Sequence, residues 1–198
     1  TCAVAAVGSS SGEQHRCVLG VADPDREQRA TGTTVFDMAS VTKAVVTTTV
    51  VLGLVEDGSL ALTDPIGRHL PVDGKRAEVT LRQLLTHTSG LQPYHFEPAW
   101  SGLKDARATI FESDLLAAAP GERQEYSCLN FVHLAATAER TTGTSFPQLA
   151  AEYVFEPAAM ETARLGAPVD SAATVAVTRD HEYGRGAIRG EGHDPIGN

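Results

Sequence analysis

Short apolar runs open the chain, and longer ones of helical character follow. Cys2 to Val7 and Cys17 to Val21 read as two short strands, joined through a turn region at Gly8–Gly12 into a hairpin. Asp23 to Thr33 is a polar connector. Phe36 and Met38 lead into Ser40 and a helix running to about Asp57, with Gly58 where a helix-terminating glycine belongs. Thr63-Asp64-Pro65 marks the next turn. Val79 to His87 predicts a short helix, for which Thr80 and Gln83 supply a capping box and Ser89-Gly90 a stop. Leu91 to Lys104 is irregular and aromatic, with Tyr94, His95, Phe96 and Trp100. Ser113 to Ala119 predicts a short helix ended by Pro120-Gly121. Leu129 to Thr141 is amphipathic with Gly143 just beyond it, and Ser145 caps one more helix that has Pro147 in its first turn. Regularity fades after Pro157, and Ala172 to Asn198 predicts no element.

Strand, strand, then many helices is the order of an α/β or α+β layer fold. Two strands alone make a marginal sheet, so an antiparallel sheet that is incomplete in this chain is expected. The division that follows is one partial domain over residues 1–198: two sheet strands in 1–22, then the helix after Ser40 and a helical region in 23–198. The chain starts at Thr1 without methionine and stops at Gly197-Asn198, which suggests a piece of a longer protein and leaves its compartment open.

Composition narrows the function classes. The chain has 198 residues, 42% hydrophobic and 21% charged, enough to bury a substantial core. Its net charge is −9, from 25 acidic and 16 basic residues, with no Lys/Arg cluster, so no nucleic-acid partner is expected. The nearly apolar stretch Ala44 to Val55 is too short to span a bilayer. Cys2, Cys17 and Cys128 form no zinc spacing, and the odd count argues against a disulfide framework; the hairpin register sets Cys2 and Cys17 out of bridging range. His69, His133 and His181 are isolated, so neither a metal nor a cofactor is implied.

The candidate chemistry starts at Ser40-Val41-Thr42-Lys43. A serine and a lysine three residues apart share one face of a helix. The lysine amine can then reach the serine hydroxyl and activate it as a nucleophile. A second candidate is Tyr126-Ser127, just after Pro120-Gly121-Glu122 and just before the helix at Leu129. A tyrosine held rigidly at a helix start can shuttle protons if a cation, here Lys43, stands beside it.

The segment Phe36-Asp37-Met38-Ala39-Ser40-Val41-Thr42-Lys43 resembles the nucleophile segment of the serine β-lactamase and penicillin-binding-protein superfamily, in its class C-like serine hydrolase branch. Leu54 to Gly58 with Leu62 to Pro65 is similar to the end of the nucleophile helix and its following turn. Leu84-Leu85-Thr86-His87-Thr88-Ser89-Gly90-Leu91 resembles the branch's LLTHTSGL signature. Pro120-Gly121 followed by Tyr126-Ser127 resembles its PG-x-x-x-x-YS segment, and Phe155-Glu156-Pro157 with Met160 its FEPLGM turn.

The resemblance implies a β-lactamase/transpeptidase-like fold, with an antiparallel sheet flanked by helices plus a helical region. It implies a metal-independent serine hydrolase working through an acyl-enzyme, with Ser40 acylated, Lys43 as its general base and Tyr126 deprotonating Ser40 or protonating the leaving group. The Ser40 N–H would form half of an oxyanion hole. Burial is expected to pull the Lys43 ammonium well below the usual lysine range, so that the amine can act as a base.

Two departures stand out. Many relatives place Asn or Asp two residues after this tyrosine, where Cys128 stands here. The third motif of the family, K-T-G or H-x-G, does not occur, although Gly190-Glu191-Gly192-His193-Asp194-Pro195 resembles a segment that precedes H-A-G in one cell-wall-related branch. Residues 1–198 alone are therefore expected to be poorly soluble or loosely packed, and poorly active. The expected substrates are peptidoglycan-related amides or D-amino-acid peptides. The alternatives are a carboxylesterase, a β-lactamase or a non-catalytic penicillin- or cell-wall-binding relative. Cys128, Tyr94 and Trp100 are expected to border the small-molecule or peptide substrate, and His87 to fix the loop after its helix by hydrogen bonds.

Overall fold

The computed structural model describes residues 1–93, 110–111, 115–166, 174–180 and 186–190. These fall into two compact units. A strand unit holds Thr1–Ala39, Gly166 and the described residues of 174–190, and a helical unit runs from Ser40 to Leu165.

In the strand unit, β1 (Cys2–Ser9) and β2 (Gly12–Asp23) form an antiparallel hairpin longer than the sequence pattern suggests. Ser9 pairs with Gly12, which leaves Ser10 and Ser11 as the turn, and Gly12 takes φ +116, where a Cβ would be strained. Cys2 pairs with Gly20 and Cys17 with Ala5. The two thiols are thus three rungs apart, about 10 Å, on opposite faces of the ribbon. All three cysteines are free thiols.

Three strands escape the sequence pattern. β3 (Gln28–Arg29) adds to β2 inside the supposed polar connector, and β4 (Thr178–Asp180) pairs with β5 (Gly186–Ile188) where no element was predicted. They are two or three residues long, too short to show an alternating pattern. Backbone bonds from Val177 N–H to Ala22 O (2.9 Å) and a parallel bridge between Val35 and Val175 join them to the rest of the unit.

The helical unit is organised by burial. Its first helix begins after Ser40, passes through a π turn at Lys43–Thr47, and continues as α1 (Thr48–Glu56). Val46, Val50, Val51 and Leu54 face inward, while Val41, Val45 and Leu52 are exposed. Gly58 follows with φ +80, as a helix-terminating glycine should. Gly53 is required by packing, since a Cβ there would collide with the Tyr153 ring. The Tyr153 hydroxyl donates to Asp57 Oδ2 at 2.7 Å, and that carboxylate pushes its pKa up to about 12, so this tyrosine stays protonated.

Two short helices, α2 (Gly74–Ala77) and α3 (Leu81–Leu85), precede the longest one, α4 (Cys128–Thr142). The Thr80/Gln83 capping box is formed: Gln83 N–H donates to Thr80 Oγ1 and Thr80 N–H to Gln83 Oε1. α4 is capped by Ser127 Oγ, which accepts from Leu129 N–H at 3.2 Å, and ends at Gly143 with φ +71. It is not the amphipathic helix expected, because every residue from Leu129 to Ala138 is buried. α5 (Phe146–Ala150) carries Pro147 in its first turn, and Gln148 Oε1 accepts from the Ser145 hydroxyl at 2.7 Å.

The helix expected over Ser113 to Ala119 is absent from its described part, 115–119. There the backbone pairs with the signature loop instead: Gln92 N–H to Leu115 O (2.9 Å), Ala117 N–H to Gly90 O (2.8 Å), and a bridge between Leu91 and Leu116. Burial of Leu91 and Leu115 decides the outcome against local helix preference. Among the described residues no helix is long and apolar enough to cross a membrane.

Candidate active site

Local geometry places the serine and the lysine. Ala39, the residue before Ser40, takes φ +43 with its N–H donating to Asp37 Oδ1 at 2.8 Å. Helical turns then begin at once, with Lys43 N–H bonded to Ser40 O at 3.1 Å. Lys43 Nζ lies 3.2 Å from Ser40 Oγ and donates to it. Lys43 also opens the π turn: its carbonyl accepts from the N–H of Thr48, five residues on, and from the Thr48 hydroxyl at 2.9 Å. Single π turns inside helices recur at functional sites. Nothing in the apolar pattern foretold this one.

Tyr126 arrives from far along the chain. The segment before α4 is laced to the signature loop by backbone bonds from Gly121 N–H to Thr88 O (2.7 Å) and from Glu125 N–H to His87 O (2.8 Å). Gly90 lets the two segments approach, since at its φ of +79 a Cβ would collide with the Ala118 carbonyl. The result puts the Tyr126 hydroxyl 2.9 Å from Ser40 Oγ, to which it donates. Ser40 is exposed and Tyr126 is 53% exposed, so the trio is open to solvent on one side.

The electrostatics of Lys43 differ from expectation. Burial does pull its ammonium down, but the Cys128 thiol and the hydrogen-bonded Tyr126 hydroxyl pull it up by more, and the net shift is upward. The ammonium also lies 5.6 Å from the centroid of the Tyr126 ring and 5.9 Å from that of Phe131. Lys43 is therefore held as a cation in the resting site, whereas the sequence reading required an easily deprotonated amine. The apolar run around it desolvates the amine less than its two polar neighbours stabilise the charge.

Cys128 opens α4 half-buried, close enough to Lys43 to be among the causes of that shift. Tyr94 and Trp100, expected to line a substrate groove, lie outside the described residues, as do His181 and the 191–195 part of the Gly190–Pro195 stretch.

Directly behind the site stand His87, which fixes its loop by hydrogen bonds as expected, and two polar residues that the sequence reading did not include, Ser89 and Asn130. His87 takes φ +57 and packs its ring against Tyr126 at a tilt of 39°, with centroids 4.6 Å apart. Its Nδ1 accepts from Asn130 Nδ2 (2.9 Å) and from Ser127 N–H (3.3 Å). Asn130 Oδ1 in turn accepts from Ser89 Oγ at 2.5 Å, and Ser89 Oγ accepts from Leu91 N–H at 3.1 Å. Ser89 and Asn130 are fully buried. A lone Asn in the apolar opening of α4 was the available signal. Elsewhere in α4, His133 is a core histidine: Nδ1–H donates to Leu129 O at 2.7 Å, and burial pulls its pKa down to about 4. Among the described residues no group of His, Cys, Asp or Glu could hold a metal ion.

Comparison with known proteins agrees with this geometry. The beta-lactamase family model matches residues 2–195. Esterase EstB of Burkholderia gladioli is 35% identical over 179 residues, covering 80% of this chain and 45% of the esterase. A D-alanine carboxypeptidase AmpC structure from Burkholderia cenocepacia superposes with TM-score 0.74 at 25% identity, over 95% of this chain and 50% of that one. The octameric penicillin-binding protein homologue from Pyrococcus abyssi reaches TM-score 0.77 at 22% identity, over 100% and 47%. The chain thus spans less than half the length of the curated relative it matches, and its fold is of the β-lactamase/transpeptidase type. With the match running over nearly every residue and the Ser40, Lys43 and Tyr126 side chains gathered on one point, the chain belongs to the beta-lactamase family.

Proposed function

We propose that the whole protein is a serine hydrolase working through an acyl-enzyme on Ser40. The observation that carries this reading is the convergence of Lys43 Nζ (3.2 Å) and the Tyr126 hydroxyl (2.9 Å) on Ser40 Oγ. Because Lys43 is held as a cation, Tyr126 is the proton relay in this mechanism, taking one proton on its oxygen as it gives up its own. The Ser40 proton passes to Tyr126 while Oγ bonds to the substrate carbonyl carbon, whose oxygen takes the negative charge. Collapse breaks the bond to the leaving group, which takes the proton from Tyr126. Water then attacks the acyl-enzyme, giving its proton to Tyr126, and Ser40 departs reprotonated. The Ser40 N–H is one donor available to the oxyanion.

The first substrate reading is peptidoglycan-related amides or D-amino-acid peptides. It is supported by the Gly190–Pro195 sequence and by likeness to a D-alanine carboxypeptidase. An amine leaving group needs the proton that Tyr126 can deliver. A carboxylester is the second reading, favoured by Cys128, since a thiol beside Lys43 cannot make the hydrogen bonds of an amide or carboxylate there, and by the similarity to an esterase.

A fluorophosphonate or a fluorescent penicillin should label the full-length protein at Ser40, and Ser40→Ala should abolish labelling. Undiminished labelling of that variant would remove the acyl-enzyme mechanism, and a pure binder would give no covalent adduct at all. Muramyl peptides, nitrocefin and a short-chain p-nitrophenyl ester assayed side by side then separate the substrate classes. Efficient turnover of the ester alone would put the second reading first.

A further inference from the structure

We propose that His87 is a positioning residue that, in its neutral Nε2–H form, holds Tyr126 on Ser40, and that its protonation disables the site in acid. The inference rests on the acyl-enzyme reading above but concerns a residue outside its trio.

Hydrogen-bond direction fixes the working state of the ring. Asn130 Nδ2 can only donate, because its Oδ1 is engaged by Ser89 Oγ, and the Ser127 backbone N–H can only donate as well. Both meet Nδ1, so Nδ1 must be the unprotonated nitrogen and the proton sits on Nε2. The buried Ser89–Asn130 pair cannot easily turn over. Ser89 Oγ takes the Leu91 N–H and gives its own proton to Asn130. The amide is thereby locked with its NH2 toward the ring, and a fully satisfied buried network of this kind rigidifies what it holds.

What it holds is the backbone on both sides of Tyr126. His87 O accepts from Glu125 N–H, Nδ1 accepts from Ser127 N–H, and the ring packs on the Tyr126 ring between them. The positive φ of His87, +57, is what turns carbonyl and side chain toward the same segment. A non-glycine residue in this region is uncommon and marks a constraint set by its surroundings.

Protonating His87 would place an N–H on Nδ1 against two donors, which forces at least one bond to open. It would also set a second cation near Lys43. Among the described residues, Lys43 and Tyr126 are the titratable groups that border the ring. Cys128 lies beside Lys43, and Glu125 turns its carboxylate to Arg123. No described carboxylate compensates the new charge, and burial together with Lys43 already holds His87 below the usual histidine range.

The test is the rate of fluorophosphonate labelling of Ser40 in the full-length protein between pH 4 and 8, which requires no knowledge of the substrate. As pH falls through the His87 titration, the wild-type log rate should steepen by about one unit of slope. His87→Asn keeps an acceptor at the Nδ1 position and suits a positive φ, so the steepening should vanish while labelling persists. Asn130→Asp is nearly isosteric but offers a carboxylate to Nδ1, stabilising the protonated ring. The break should then move to higher pH, and labelling at pH 7 should fall about tenfold. A residue that only supported the fold would shift stability and leave the break in place. A break at the wild-type pH in either folded variant overturns the proposal. Loss of wild-type labelling at Ser40 would instead overturn the acyl-enzyme reading. Should His87→Asn not fold, Asn130→Asp decides the question alone.

Discussion

Each of the two units has its own kind of internal stabilisation. In the strand unit, Val7 and Leu19 are 64% and 63% exposed, and Ala22 and Ile188 are the buried apolar side chains among its described residues. Charge does much of the work there. Asp23 is buried and accepts from Arg189 Nε (2.5 Å) and Nη2 (3.1 Å), while Asp25 accepts from both Arg179 and Arg189. In the helical unit one continuous apolar cluster runs from Val46 through Leu134 to Val154. The contrast teaches where a hydrogen-bonded polar trio can be built. A desolvated, close-packed scaffold can hold polar groups such as Ser89, Asn130 and His87 in one arrangement, and the trio stands on that scaffold.

The sharpest way to break this contrast is to show that the trio does not depend on pre-organised groups. Lys43→Ala and Tyr126→Phe should each reduce turnover of the full-length protein by about two to four decades, with small changes in melting temperature. Near-full turnover of either variant would show that the residue is structural.

Core truncation should come next. Leu54→Ala and Leu134→Ala remove fully buried side chains and should cost roughly 3–5 kcal/mol in urea unfolding, whereas Leu19→Ala in the strand unit should stay within about 0.5 kcal/mol. Equal costs in the two units would erase the distinction.

Acid separates the units by window. His133 has its folded pKa pulled down to about 4, from an unfolded value of 6.5. Its contribution is therefore fully present above pH 6.5, declines as pH falls, and is gone below about 4, a loss of roughly 3 kcal/mol. His133→Phe should flatten that decline. Asp23 is held below the ordinary carboxylate range first by its Arg189 hydrogen bond, so its contribution is present above the usual carboxylate pKa and is lost only at lower pH. Hydrogen exchange followed against pH should show the helical core weakening before the β2–β5 region does. The reverse order would contradict the assignment.

The smallest expected effect tests a local feature. Thr80→Ala removes the capping box and should cost about 1 kcal/mol, with turnover unchanged.

Much of this architecture was legible beforehand, and unevenly so. The helix after Ser40, the caps at Thr80 and Ser145 and the glycines at 58 and 143 were foreseen from sequence and are present. The helix expected at 113–119 and the amphipathic reading of α4 failed for one reason. Leu116 bridges Leu91, 25 positions away, and α4 is buried all round from Leu129 to Ala138, neither of which a local pattern reports. The charge state of Lys43 was misjudged similarly, because the apolar run around it was visible while its contacts with Cys128 and Tyr126 were not.

What the sequence by itself determined was everything that rests on neighbours within about four residues. Ser40 and Lys43 share a face because a helix repeats every 3.6 residues, and the caps form because their donors and acceptors are three residues apart. Only the tertiary structure could bring Tyr126 across 86 positions to Ser40, or Asn130 across 43 to His87. Those approaches depend on which apolar faces find each other in the core. The histidine tautomer and the cation at Lys43 follow from such long-range approaches, since each is set by a partner that local propensity does not encode.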